Sequence, residues 1–117
     1  MAQVPEAKWV RIAKLADCPP GSACELVADD TMIALYNVGG QLYALDGVCP
    51  HQGGPLGKGC LQGAIVTCPW HGWQFDVTTG QHQLNPRLHQ PTFAVRVEED
   101  EVWVDLGRSD TREAGRV

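Results

Sequence analysis

"CPWHGWQFDVTTG", residues 68–80, sets Cys68 and His71 three positions apart among Trp70, Trp73 and Phe75. A plain core would fill such a stretch with aliphatic side chains. A nucleophilic thiol–imidazole pair normally meets across a fold rather than along one loop. An earlier stretch resolves the choice. "GVCPHQGGPLGKG", residues 47–59, carries Cys49-Pro50-His51, and sixteen residues separate His51 from Cys68. Those sixteen include "AIVT" (64–67), a strand able to return the chain to the same end of a sheet. A C-x-H pair and a C-x-x-H pair, one per loop, can then converge on one point. Two thiolates and two imidazoles make a complete ligand set for a metal centre. Zinc accepts that set tetrahedrally, but zinc motifs usually group the cysteines in one pair and the histidines in the other. One of each per loop suits a two-iron cluster in which one iron takes both sulfurs and the other both nitrogens.

The chain around these loops is rich in strand signals. "KWVRIA" (8–13), "CELV" (24–27), "MIALYNV" (32–38), "QLYALD" (41–46), "AIVTC" (64–68), "WQFDV" (73–77), "FAVRVEE" (93–99) and "EVWVDL" (101–106) are expected strands. Gly39-Gly40 is a two-residue hairpin signal, and Glu99-Asp100 marks a second hairpin. No long helical period appears. The expected fold class is all-β, a small antiparallel sandwich or barrel. "GVCPHQGGPLGKG" and "GQHQLNPRLHQP" (80–91) are expected loops, and the polar tail 108–117 is expected to be mobile.

Composition narrows the function. The 117 residues suit one domain, here bounded at 1–107, and 44% are apolar. A net charge of −5 argues against nucleic acid and suits docking on a basic partner. No signal peptide and no apolar run of membrane length is read, so the expectation is a soluble cytoplasmic protein with no membrane contact. Five cysteines, an odd number, speak against a disulfide framework. Cys18, Cys24 and Cys60 are expected to be ordinary small hydrophobes. His82 and His89 are expected to be surface or hydrogen-bonded loop residues, and Glu98 to Glu101 a solvated hairpin tip.

With C-x-H and C-x-x-H in glycine-rich loops of an all-β chain, the sequence from about Trp9 to Leu106 resembles the Rieske [2Fe–2S] family. The resemblance implies a cluster-binding subdomain spanning about 46–91, formed by the two loops. Cys49 and Cys68 would bind one iron, and His51 and His71 the other. Pro86, in "NPRLHQP", would help a third loop cover the cluster. Trp73 and Phe75 are expected to pack beneath the cluster, and Trp70 either to pack or to face a partner. Replacing two thiolates by neutral imidazoles raises the potential above that of all-cysteine clusters.

High-potential members of the family join the two loops by a disulfide, at positions occupied here by Gly54 and Trp70. They also place Ser and Tyr hydroxyls on the cluster sulfurs, where this chain has Trp73 and Phe75. Lacking these, the chain is expected near the low end of the Rieske range, about −150 mV. It has no room for the substrate domain of an oxygenase large subunit, so the resemblance implies a stand-alone, monomeric ferredoxin rather than an enzyme. It would carry one electron at a time from a flavin- or NAD(P)H-dependent reductase to a terminal oxygenase or other oxidoreductase. Its alternatives are the small subunit of an NAD(P)H nitrite reductase, which shares the fold, and a zinc-binding or redox-sensing module.

Overall fold

The computed structural model describes residues 7–48, 54–70, 72–85 and 87–107. Cys49, His51, His71, Pro86 and the tail from 108 onward lie outside the described residues. Ten strands form three antiparallel sheets among the described residues, as the all-β reading expects. In the first sheet, β1 (Trp9–Lys14) pairs with β10 (Glu101–Asp105), which pairs with β9 (Val95–Glu98). The second runs β2 (Ala23–Ala28), β3 (Thr31–Val38), β4 (Gln41–Asp46) and β8 (Thr92–Phe93). The third holds β5 (Cys60–Gln62), β6 (Ile65–Thr67) and β7 (Gln74–Asp76).

The unbroken apolar run of β3 follows from its place between two cores. Side chains alternate across a strand, and here both faces are covered. Ile33 and Leu35 enter one core with Ala13, Val102 and Val104. Ala34 and Tyr36 enter the other with Leu56, Val66, Cys68 and Phe75. The Tyr36 hydroxyl donates to the Leu56 carbonyl at 2.8 Å, tying the second sheet to the subdomain that carries the cysteine–histidine motifs. The β3–β4 turn is Gly39-Gly40 as expected, with φ of +61° and +101°, a conformation that side chains other than glycine adopt with strain.

The structure differs from the strand reading in two places. The stretch 93–99 is not one strand. Thr92–Phe93 pairs with β4 in the second sheet, and Val95–Glu98 pairs with β10 in the first. The chain changes sheets at Ala94, and the apolar alternation runs straight through the change. The expected loop 47–59 contains a 3₁₀ turn at Leu56–Lys58 and leads directly into β5, which the sequence reading missed. Gly57 is buried there because a Cβ would stand 2.7 Å from the Glu25 Cα of β2. One cysteine expectation needs correcting: Cys60 is exposed at the start of edge strand β5, not packed as a small hydrophobe.

Candidate metal centre

Cys68 is the ligand candidate whose surroundings are described. It directly follows β6 and is 1% exposed. Its backbone N–H donates to the Trp73 carbonyl at 2.7 Å, which extends the β6–β7 pairing by one residue pair. Its Sγ accepts the Trp70 N–H at 3.4 Å. A backbone N–H aimed at a buried sulfur stabilises negative charge there, as a ligating thiolate requires.

The first motif loop is pinned at both ends. Val48 and Pro55 form a β-bridge, and the Leu56 N–H donates to the Gly47 carbonyl at 2.9 Å. Gln90, 2% exposed, donates through Nε2 to the Asp46 carbonyl at 2.5 Å and the Val48 carbonyl at 2.6 Å. The segment held between those pins contains Cys49 and His51 in sequence.

The two loops touch at Gly54. A Cβ added there would lie 2.5 Å from the Cys68 Sγ and 3.1 Å from the Trp70 Cβ. Only a residue without a side chain lets the first loop approach the Cys68 sulfur this closely. The positions where high-potential members of the family carry the linking disulfide are therefore neighbours here, and neither is cysteine. A buried sulfur that accepts a backbone N–H and faces a glycine cradle fits a cluster ligand.

A third segment packs on the same end. Phe75 is fully buried and Trp73 half-buried, both in the core cluster that includes Cys68. The His82 ring stands edge-on to both, with centroids 4.7 Å from Trp73 and 5.2 Å from Phe75. His82 Nδ1 accepts the N–H groups of Leu84 and Asn85, each at 3.0 Å, so in the neutral ring the proton sits on Nε2. That Nε2 finds no hydrogen-bond partner among the described residues. Burial lowers the His82 pKa from its ordinary value. The expectation of a hydrogen-bonded loop residue holds for His82, but it is buried rather than on the surface. Its organising role was missed. The only signal for it was a histidine two and three residues ahead of two turn amides. Trp70, in contrast to Trp73, is 48% exposed.

Comparison with known proteins agrees with this geometry. The Rieske [2Fe-2S] domain profile matches residues 8–100. The ferredoxin component of the naphthalene 1,2-dioxygenase system of Pseudomonas aeruginosa is 33% identical over 100 residues, which cover 85% of this chain and 96% of that protein. A solved complex of reduced oxygenase and oxidized ferredoxin in carbazole 1,9a-dioxygenase contains a chain 32% identical, with a TM-score of 0.79 over 87% of this chain and 95% of that one. The carbazole 1,9a-dioxygenase ferredoxin of Nocardioides aromaticivorans IC177 is 28% identical, with a TM-score of 0.76 over 83% of this chain and 96% of its own. With the all-β fold, the glycine cradle at Cys68 and a profile match over most of its length, the chain belongs to the Rieske [2Fe-2S] domain family.

Proposed function

We propose that Cys49, His51, Cys68 and His71 hold a single Rieske [2Fe–2S] cluster, Cys49 and Cys68 on one iron and the two histidines on the other. The observation that carries this ligand set is the meeting of the two motif loops at Gly54 and Cys68. The cluster supplies one-electron transfer, and no substrate bond is made or broken by the chain. Its own residues prepare the site. The Trp70 N–H stabilises charge on the Cys68 sulfur. Trp73, Phe75 and His82 form an aromatic wall that excludes water. His82 also holds the Leu84–Asn85 turn that leads to Pro86 in the covering loop.

Residues 1–107 form one domain in this reading, with 46–91 as its cluster-binding part. The carrier is a cytoplasmic monomer. It takes electrons from a flavin- or NAD(P)H-dependent reductase and delivers them to a terminal oxygenase; in support, one relative is named the ferredoxin component of a dioxygenase system, and another similar chain belongs to a complex of oxygenase and ferredoxin. Among the described residues no helix is long and apolar enough to cross a membrane. Trp70 offers an exposed aromatic surface to the partner.

The test is an EPR spectrum before and after anaerobic dithionite, with a redox titration. A silent oxidised sample and a rhombic reduced signal, with average g below that of all-cysteine ferredoxins, are expected. The midpoint should lie near the low end of the Rieske range, about −150 mV, because Trp73 and Phe75 offer no hydroxyl to sulfur. His71→Ala should lose the cluster. A colourless zinc-loaded protein would overturn the carrier reading, and a midpoint well above zero would overturn the low-potential assignment.

A further inference from the structure

"CPPGSAC", Cys18 to Cys24, lies outside the motif loops. It is a stiff, well-anchored turn. Pro19 and Pro20 fix φ at consecutive positions. Asn37, buried near the end of β3, holds the turn from two directions. Its Nδ2 donates to the Cys18 carbonyl at 2.7 Å, and its own carbonyl accepts the Gly21 N–H at 2.8 Å. The Asn37 N–H donates in turn to the Ser22 carbonyl at 3.1 Å.

That anchoring brings two thiols together. Cys18 is fully buried, and its Sγ accepts the Ser22 hydroxyl at 3.3 Å and lies 3.8 Å from the Leu35 carbonyl. Cys24 sits opposite Leu35 in the β2–β3 register and is half-buried. Its thiol donates to the Asp17 carbonyl at 3.3 Å, the peptide that leads directly into Cys18, and both side chains belong to the same core cluster. Both cysteines are free. Two thiols on one anchored turn, one of them against the peptide that leads into the other, are placed to pair.

We infer that Cys18 and Cys24 form a dithiol that closes to an intramolecular disulfide by exchange with low-molecular-weight disulfides, a two-electron redox site separate from the cluster loops. The Cys24 thiolate, the more accessible of the two, attacks one sulfur of the small disulfide and expels one small thiolate. The Cys18 thiol loses its proton and attacks the Cys24 sulfur of the mixed disulfide, expelling the second. The two protein thiols give up two protons and two electrons, and the small disulfide becomes two thiols. Burial first, and the neighbouring Cys18 thiol next, push the Cys24 pKa up to about 11. The thiolate is scarce at neutral pH, so the exchange is slow there and quickens roughly tenfold per pH unit below that value.

The experiment incubates the cluster-loaded full chain anaerobically in glutathione buffers of rising oxidised-to-reduced ratio. Free thiols are then alkylated and the peptides mapped by mass. A Cys18–Cys24 cross-linked peptide, two hydrogens lighter than the reduced pair, is expected, and it should form faster at higher pH. Exposed Cys60 should stop at the glutathione adduct. In Cys18→Ala, Cys24 should also stop at the adduct. In Cys24→Ser, buried Cys18 should stay unmodified. Reduced Cys18 and Cys24 at every ratio while Cys60 reacts would overturn the inference. So would a Cys24–glutathione adduct that accumulates in the unmutated chain without closing.

Discussion

A Cβ at Gly54 would stand 2.5 Å from the Cys68 sulfur, closer than real side-chain contacts come, and Cys68 is 1% exposed and cannot retreat to solvent. Gly54→Ala must therefore move either the first loop or the Cys68 side chain. Forced overpacking of this kind costs about 1–3 kcal/mol, which in a domain near this size lowers the melting temperature by about 4 °C or more. Iron content and visible absorbance should fall with it. Gly63 makes the comparison specific. It has a φ of +60° and open space around it, and asparagine tolerates that backbone. Gly63→Asn should keep full iron loading. Equal iron content in both variants, measured by metal analysis, would show that the cradle does not position the sulfur.

Among the elements, the turn at Leu84–Asn85 hangs on the His82 side chain. Neutral His82 accepts two backbone N–H groups through Nδ1, and a protonated ring could accept neither. Burial lowers its pKa in the folded protein, whereas the unfolded chain keeps an ordinary value near ~6.5. Above that pH both states are neutral, and the contribution to stability is present in full. As pH falls through ~6.5 the unfolded chain takes up the proton first, and the contribution is lost toward the lower folded value. Thermal melts of the unmutated chain and His82→Gln should therefore converge as pH falls from about 7 to 5. Parallel profiles would remove His82 as the acid-sensitive group of this loop. The same elements show how far the sequence could be read. Cys68 and the three residues proposed to join it stood out because cysteine and histidine are rare residue types and recur here at close, regular spacing. The hairpin at Gly39-Gly40 stood out because few residues tolerate its backbone. The double burial of β3 was visible only as an apolar run. The sheet change at Ala94 left no trace, since alternation reports which face a side chain takes and not which strand lies alongside. His82 was hidden for a related reason: its role lies in two hydrogen bonds to backbone, which leave no mark on side-chain chemistry.

For the whole molecule, partner recognition draws on two forces with different ranges. The net charge is −5, and the β9–β10 hairpin concentrates acid at Glu98, Glu99, Asp100 and Glu101. Arg96 pairs with Glu98 at 3.2 Å and Arg11 with Glu101 at 3.5 Å. Glu99 and Asp100 carry no ion pair among the described residues, and both lie exposed at the turn. Among the described residues, three of the five exposed large apolar side chains, Val48 at 47%, Trp70 at 48% and Leu84 at 90%, lie beside the loops gathered around Cys68, while Val27 is on β2 and Val97 on the acidic hairpin itself. An acidic field acts over about 10 Å at 0.1 M salt and shrinks to about 3 Å at 1 M. Apolar contact acts only on touching and is insensitive to that change. The two forces should therefore separate kinetically, charge governing encounter and apolar burial governing residence. Stopped-flow reduction of the carrier by a basic reductase should show an association rate that falls roughly tenfold or more between about 0.01 M and 1 M ionic strength. The dissociation rate should change little with salt, but rise in Trp70→Ala and Leu84→Ser. If association is flat with salt while both variants still dissociate faster, docking rests on the apolar loops alone and the acidic hairpin is only a solvated turn.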